Sequence, residues 1–298
     1  MASNLVSITR RGFGQTARKD FWWVTPLLTF LAFSAFLVYS TWAAFQGEHY
    51  SFGPYLSPMY SPLIWEAAGQ PLSGHSWLGA WPSWLPTWLL IQPITPAILI
   101  LWAPGGFRVT CYYYRGAYYK AFWADPPACS VGEPRHNYRG ERKFPLILQN
   151  VHRYFLYFAL LFIVILAFDA LDAMWFPGAD GRRHFGIGVG TLVLIVNVIL
   201  LGSYTLGCHS LRHLVGGGCD VLSDKPARQT AYNCVGSLNS RHMLFAWLSL
   251  FWVAFSDIYV RLCSMGIWHD YRIFLLERGR PRPHSQLIAA KVSLVYTT

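Results

Sequence analysis

"LILQNVHRYFLYFALLFIVILAFDA", residues 146–170, decides the fold. At 1.5 Å per residue this stretch reaches about 37 Å as a helix, more than the roughly 30 Å hydrocarbon core of a bilayer. Between Arg153 and Asp169 it carries no charge. A helix that is apolar on all sides belongs in a large core or in lipid, where its backbone satisfies itself. Working outward, five segments are long and apolar enough to span: Phe21–Phe45, Leu85–Phe107, Leu146–Ala170, Gly188–Val215 and Met243–Cys263. Pro93, Pro96 and Pro104 interrupt the second. Prolines are tolerated in a membrane where neighbouring groups satisfy the freed carbonyls. The expected fold class is all-α, an integral membrane bundle of about five transmembrane helices over residues 21–271. A cytoplasmic arm (1–20) precedes it and a tail (272–298) follows, reading as disordered from Gly279 onward.

Composition agrees. Of 298 residues, 54% are hydrophobic and 13% charged, about half the charge of a typical soluble domain. The 14 tryptophans gather at the edges of apolar runs, where an aromatic belt lies. The net charge of +10 falls in loops and forms no solid block. It is therefore read as topogenic charge facing lipid headgroups, not as a nucleic-acid surface. The first apolar run spans, so the start reads as a retained helix with no cleavable signal peptide.

Lys and Arg set the orientation. The arm carries Arg10, Arg11, Arg18 and Lys19, and the loop 46–84 none. The loop 108–145 carries seven, from Arg108 to Lys143, the loop 171–187 carries two, and the loop 216–242 carries Lys225, Arg228 and Arg241. The alternation puts the amino terminus and the even loops in the cytoplasm. Arg278, Arg280 and Arg282 in the tail run against it. The tryptophan-rich loop 46–84 is expected on the membrane surface. The stretch from Tyr112 to Lys120 reads either as a docking surface for a cytoplasmic partner or as an interfacial segment.

Histidines and cysteines then converge by depth. His152 lies near the cytoplasmic end of the third span, Cys208, His209 and His213 in the last two turns of the fourth, and His242 at the start of the fifth. Cys111 follows the second span, with Cys129 and His136 in the adjoining loop. A reducing compartment favours free thiols or metal ligands over disulfides. Ionisable groups at membrane depth are costly and mark function. Two histidines from different helices fit a b-type haem, and two histidines with two cysteines fit a Rieske-type [2Fe–2S] cluster. The cysteines tilt the reading to the cluster, although no soluble Rieske motif is present. At the other end, Asp257 and Arg261 stand four apart, with Asp169 and Tyr259 near them. They read as a self-neutralising pair or as the polar pocket of a quinone head group. A small transporter using Asp169, Asp257 and Arg261 is the remaining alternative.

The stretches "FRVTCYYYRGAYYKAFWADPPAC", "FPLILQNVHRYF", "SYTLGCHSLRHLVGG" and "LNSRHMLFAWLSLFWVAFSDIYVRLC" resemble the membrane anchor of one class of succinate dehydrogenase, respiratory complex II, over residues 21–271. In that class one five-helix subunit replaces a pair of anchors. The resemblance implies a bacterial inner-membrane protein that holds a flavoprotein and an iron–sulfur subunit on its cytoplasmic face. It also implies a Rieske-type [2Fe–2S] cluster in place of haem b, and a quinone as electron acceptor. Two His and two Cys are then required. Cys111 and Cys129 with two of His152, His209 and His242 come first, Cys208 and His213 are reserves, and His136 and Cys234 come last. Arg153 and Arg212 would supply positive charge near the cluster. The chain has no flavin fingerprint and no room for a succinate site.

Overall fold

The computed structural model of the protein describes residues 20–21, 23–89, 92–115, 142–144, 147–178 and 181–275. It is mostly helical. Helix α1 (Val24–Gln46) is followed by two small hairpins, β1 (Ser51–Phe52) with β2 (Tyr55–Leu56) and β3 (Trp88–Leu89) with β4 (Gln92–Pro93). Next come α2 (Pro96–Thr110), the short α3 (Tyr112–Arg115), α4 (Ile147–Asp172), β5 (Trp175–Pro177) and β6 (Arg183–Gly188). The chain continues through α5 (Val189–Leu206), α6 (His209–Gly216), α7 (Pro226–Asn239), α8 (His242–Ser264) and β7 (Arg272–Leu275).

Among the described residues four helices are long and apolar enough to cross a membrane: α1, α4, α5 and α8. Their outer faces leave Val38 71%, Phe168 67% and Ile199 59% exposed. So much uncovered aliphatic and aromatic surface suits lipid and not water.

Two of the five expected spans have different bounds. The second does not begin at Leu85. The residue before a proline is pushed out of the helical region, and proline is at home as the first helical residue. Thr95 is accordingly extended (φ −114°, ψ 162°), and α2 starts at Pro96. Its 15 residues reach about 22 Å, short of a full span. The fourth does not run to Val215. It stops at Leu206, and α6 starts afresh at His209. Gly207 sits where a Cβ would meet the Ser203 carbonyl oxygen at 2.8 Å and the Leu238 backbone at 3.1 Å, so the chain there passes too close to α7 for any side chain.

The loop after α1 does not spread over the membrane surface. Its first half folds into the bundle end: Tyr50, Leu56, Met59, Tyr60 and Leu63 are buried against Ala43, Ala44 and Ala97. Tyr60 donates to the Ala43 carbonyl at 2.8 Å and stacks on Tyr50 at 4.5 Å. Buried Glu66 accepts from the Tyr50 hydroxyl at 2.6 Å and from the Ser73 amide at 2.9 Å. Burial works to raise the Glu66 pKa, but the Ser73 and Tyr50 hydrogen bonds outweigh it and hold the carboxyl below its ordinary value. The tryptophan-rich second half stays out, with Trp77, Trp84 and Trp88 exposed. At the same end β5, β6 and β7 form a three-stranded antiparallel sheet, so Arg272–Leu275 is a strand within the stretch read as tail.

Helix α2 packs on α4 through Gly106, where an added Cβ would lie 2.2 Å from the Phe155 ring. Gly106→Ala should therefore destabilise the protein by about 1–3 kcal/mol, as overpacking does. Phe155→Leu in the same chain should recover part of the loss. Thermal unfolding of the detergent-solubilised protein checks both, and an unchanged midpoint for Gly106→Ala would refute the close approach.

Candidate functional site

Two cysteines sit in matching breaks of the helical chain. Cys111, between α2 and α3, has φ −63° and ψ 140°, and Cys208, between α5 and α6, has φ −64° and ψ 137°. Each amide N–H closes a turn three residues back, to the Arg108 and Thr205 carbonyls respectively. Each carbonyl accepts from the amide four residues on, Arg115 and Arg212. One extended residue thus stops a helix, starts the next, and turns its side chain inward. Both sulfurs are buried, at 2% and 1% exposure.

A histidine faces each cysteine. His152 of α4 places Nε2 3.2 Å from the Cys208 sulfur, and His242, the first residue of α8, places Nε2 4.0 Å from the Cys111 sulfur. Phe107 stacks on the His152 ring at 4.5 Å and 9°. Tyr204 stacks on the His242 ring at 5.0 Å and 9°. The tautomer of His152 follows from one proton count. The Thr110 hydroxyl lies 2.7 Å from the Gly106 carbonyl and 2.8 Å from His152 Nδ1. A hydroxyl has one hydrogen, and the carbonyl can only accept it. With the hydroxyl hydrogen given to the Gly106 carbonyl, His152 Nδ1 carries the ring proton and donates to Thr110, and Nε2 faces Cys208. His242 Nδ1 is buried without a hydrogen-bond partner among the described residues.

These four side chains line one cavity of about 450 Å³ together with Thr110, Gln149, Asn150 and Arg153. His209 and His213 stand at its rim. They are exposed on α6, with their Nε2 atoms 3.0 Å apart. They bond to each other, whereas Cys208 faces His152. Neighbouring His213 and Arg212 reinforce burial in lowering the His209 pKa. So Cys208, a reserve in the sequence reading, belongs to the inner group, and His209, a first choice, stands outside it. The break at Gly207–Cys208 accounts for the exchange, because the extended Cys208 ends the helical register that would otherwise carry on from α5 into α6. Cys129 and His136 lie outside the described residues, as do Tyr118, Tyr119 and Lys120. Of the tyrosines before them, Tyr112 is exposed while Tyr114 is fully buried. Cys234 is exposed on α7. Cys219, in the loop after α6, accepts from Lys225 at 3.1 Å and Arg228 at 2.6 Å, and these cations hold its pKa low. All five described cysteines are free thiols.

The opposite end gathers the carboxylates but makes no common pocket of them. Asp257 accepts from Tyr39 at 2.6 Å, from Arg261 at 3.4 Å and from Ser57. Arg261 also donates to the Glu48 carbonyl at 3.0 Å and lies over the Trp42 ring. Asp169 accepts from Ser61. Tyr259 belongs to another group: it donates to Asp270, as does Tyr55, at 2.7 and 2.8 Å. A second, apolar cavity lies instead behind Phe107 and Tyr204, lined by Phe33, Phe36, Leu101, Phe162 and Leu166, with Arg108 and Thr205 in its wall. Its lining comes as apolar faces of α1 (Phe33, Phe36, Leu37) and α4 (Ala159, Phe162, Ile163, Leu166) with residues of α2 and α5, a pattern that in sequence reads as ordinary helix packing.

A helical membrane bundle with a cavity lined by two histidines and two cysteines defines the class, and comparison with known proteins gives the family. The actinobacterial succinate dehydrogenase subunit SdhC family matches residues 24–266. The chain belongs to this family, and so is a membrane subunit of succinate dehydrogenase. A chain of the solved "Mycobacterium smegmatis Sdh1 complex in the apo form" is similar to it, with 42% identity and a TM-score of 0.75, over 93% of this chain and 100% of that one. Among curated proteins none matches in sequence.

Replacing Thr110 tests the tautomer argument. Thr110→Val should lower stability by about 1–3 kcal/mol, because it strands a buried N–H, whereas Thr110→Ser should stay close to the parent. Thermal unfolding separates the two, and equal stability of the Val and Ser variants would contradict it.

Proposed function

We propose that this chain is the electron-transferring membrane anchor of a succinate:quinone oxidoreductase, with a Rieske-type [2Fe–2S] cluster held by Cys111, Cys208, His152 and His242. The observation that carries the reading is the pairing of one imidazole with one thiol on each side of a single cavity, His152 with Cys208 and His242 with Cys111. The donor composition, two imidazoles and two thiols, fits the group, and binding would draw the two thiols to one iron and the two imidazoles to the other, apart from the His–Cys pairs seen here. Rieske centres take two thiolates on one iron and two imidazoles on the other. His152 offers a lone pair because Thr110 holds its other nitrogen, the arrangement that orients metal-binding imidazoles generally. Bound there, the cluster supplies a one-electron carrier. A haem b would need the two imidazoles and leave both buried thiols without a role.

The residues of the chain do the rest. Phe107 and Tyr204 cover the imidazoles on one side and wall the apolar cavity on the other. That cavity suits a quinone head group, since its surface is apolar with Arg108 and Thr205 as polar contacts. Asp257 and Asp169, with their hydrogen bonds spent inside the protein, hold the far end together. The metal-binding end is the basic one, flanked by Arg115, Arg142, Lys143, Arg153, Arg228 and Arg241. Positive charge marks the cytoplasmic side, so this end faces the cytoplasm with the amino terminus, in a five-helix arrangement that counts α2 and α3 as the short span. There the flavoprotein and iron–sulfur subunits of succinate dehydrogenase dock, and electrons from succinate reach the anchor.

His152→Ala combined with His242→Ala should abolish quinone reduction by the purified complex while succinate oxidation by an artificial dye persists. Iron and acid-labile sulfide should each fall by two per anchor, a count fixed by the cluster type. His209→Ala should leave both measurements unchanged. Full iron content in the double variant would rule out these ligands.

A further inference from the structure

Arg108 presents a problem of charge. It lies inside the bundle, 7% exposed. A guanidinium stays protonated under all ordinary conditions and is expensive to bury without an anion. Its hydrogen-bond partners are neutral: the Tyr114 hydroxyl at 2.6 Å, the Ser249 hydroxyl at 3.1 Å and the Ala246 carbonyl at 3.4 Å. Three aromatic rings surround it, Tyr204 at 5.0 Å, Tyr114 at 5.7 Å and Phe36 at 5.9 Å. Among the described residues no carboxylate lies within ion-pair distance of it. Arg261, by contrast, has Asp257. Arg108 is thus a positive charge kept in a low-dielectric site by hydrogen bonds and ring faces, with its neutralising anion missing from its immediate shell.

The metal site proposed above is close by, and it gains negative charge when it is reduced. Arg108 stands three residues before Cys111 and receives the Cys111 amide on its own carbonyl at 3.1 Å. Its guanidinium lies 5.0 Å from the Tyr204 ring, and that ring lies 5.0 Å from the His242 ring. The charge and the imidazole are therefore no further apart than those two steps together. Tyr114, which accepts from Arg108, anchors in turn on the Ala246 carbonyl of α8, four residues beyond His242. A fixed cation held by such a network cannot swing away when the charge of the site changes.

We propose that Arg108 is the positioned countercharge of the metal site, raising the potential at which the site takes its electron. The inference rests on the cluster reading above and deepens it. Adding one electron makes the centre more negative. A permanent positive charge nearby, poorly screened inside a membrane, stabilises the reduced state over the oxidised one. Arg153 and Arg212, the residues the sequence offered for this role, are less suited to it. Arg153 is exposed, and Arg212 is spent on the Tyr232 ring at 4.9 Å. Arg108 is a positioning residue here, since it acts through the field at the site and holds no metal.

The test is redox-poised electron paramagnetic resonance on the whole complex carrying Arg108→Gln, Arg108→Lys or Ser249→Asp. Iron and sulfide content is measured alongside. Arg108→Gln should keep iron and sulfide at the parent level and shift the midpoint potential of the anchor's signal downward. Arg108→Lys should restore most of the shift. Ser249→Asp, which pairs the guanidinium with a carboxylate where it now meets a hydroxyl, should lower the midpoint with Arg108 still in place. An intact signal with an unmoved midpoint in both Arg108→Gln and Ser249→Asp overturns the proposal. Loss of the centre in both also overturns it, since a charge that only tunes the potential is not needed for assembly. A parent complex with no iron and sulfide in its anchor would sink the cluster reading itself, an outcome the iron analysis reports separately.

Discussion

The arrangement depends on two interruptions of otherwise continuous helices. A helix in a membrane hydrogen-bonds its own backbone and points its side chains outward along a fixed spiral. At Cys111 and Cys208 a single extended residue suspends that spiral, and its amide and carbonyl are still satisfied by the turns on either side. The break costs few backbone hydrogen bonds, and it lets a short side chain reach the interior. An uninterrupted α5 would carry Cys208 further along its own axis, away from His152. Without the stop at Thr110, Cys111 would follow the outer path of α2. The site is a consequence of where the helices stop.

The two ends of the bundle solve the problem of buried polarity differently. At the carboxylate end each acid has its donors in place: Asp257 has Tyr39, Ser57 and Arg261, Asp270 has Tyr55 and Tyr259, and Glu66 has Tyr50 and Ser73. Satisfied networks of this kind rigidify a structure. At the histidine end polar atoms are left over. His242 Nδ1 has no partner among the described residues, and Arg108 has no anion. Groups left incompletely satisfied at membrane depth mark a place where something else is bound. Arg261 Nη2 is left over at the carboxylate end too, so chemistry is assigned to the histidine end by its donor set of two imidazoles and two thiols around one cavity.

Much of this was legible in the sequence. Hydropathy located the spans, since 15 uncharged residues between Arg153 and Asp169 admit few other readings, and depth alone placed His152, His242 and Cys111 in one layer. The errors have local causes. Pro96 started α2 eleven residues later than hydropathy suggested, because hydropathy does not register a missing amide donor. Gly207 ended α5 early through a close approach to α7 that depends on tertiary packing, so Cys208 lies buried against His152 while His209, ranked above it, is exposed on α6. Of the two readings of Asp257 and Arg261, the self-neutralising pair is present, while Tyr259 does not join it. Residues two apart face different sides, and Tyr259 accordingly serves Asp270. Arg108 passed as a topogenic loop charge because its position just past a predicted span gave no sign that it turns inward.

The most direct test of the central claim is pulsed electron paramagnetic resonance of the reduced complex, grown with 15N-labelled histidine. The account predicts two strongly coupled nitrogens from two distinct imidazoles on one [2Fe–2S] centre, with one coupling lost when His152 is replaced and the other when His242 is. A reduced centre in the anchor without histidine nitrogen coupling, or with coupling that survives both replacements, would contradict it.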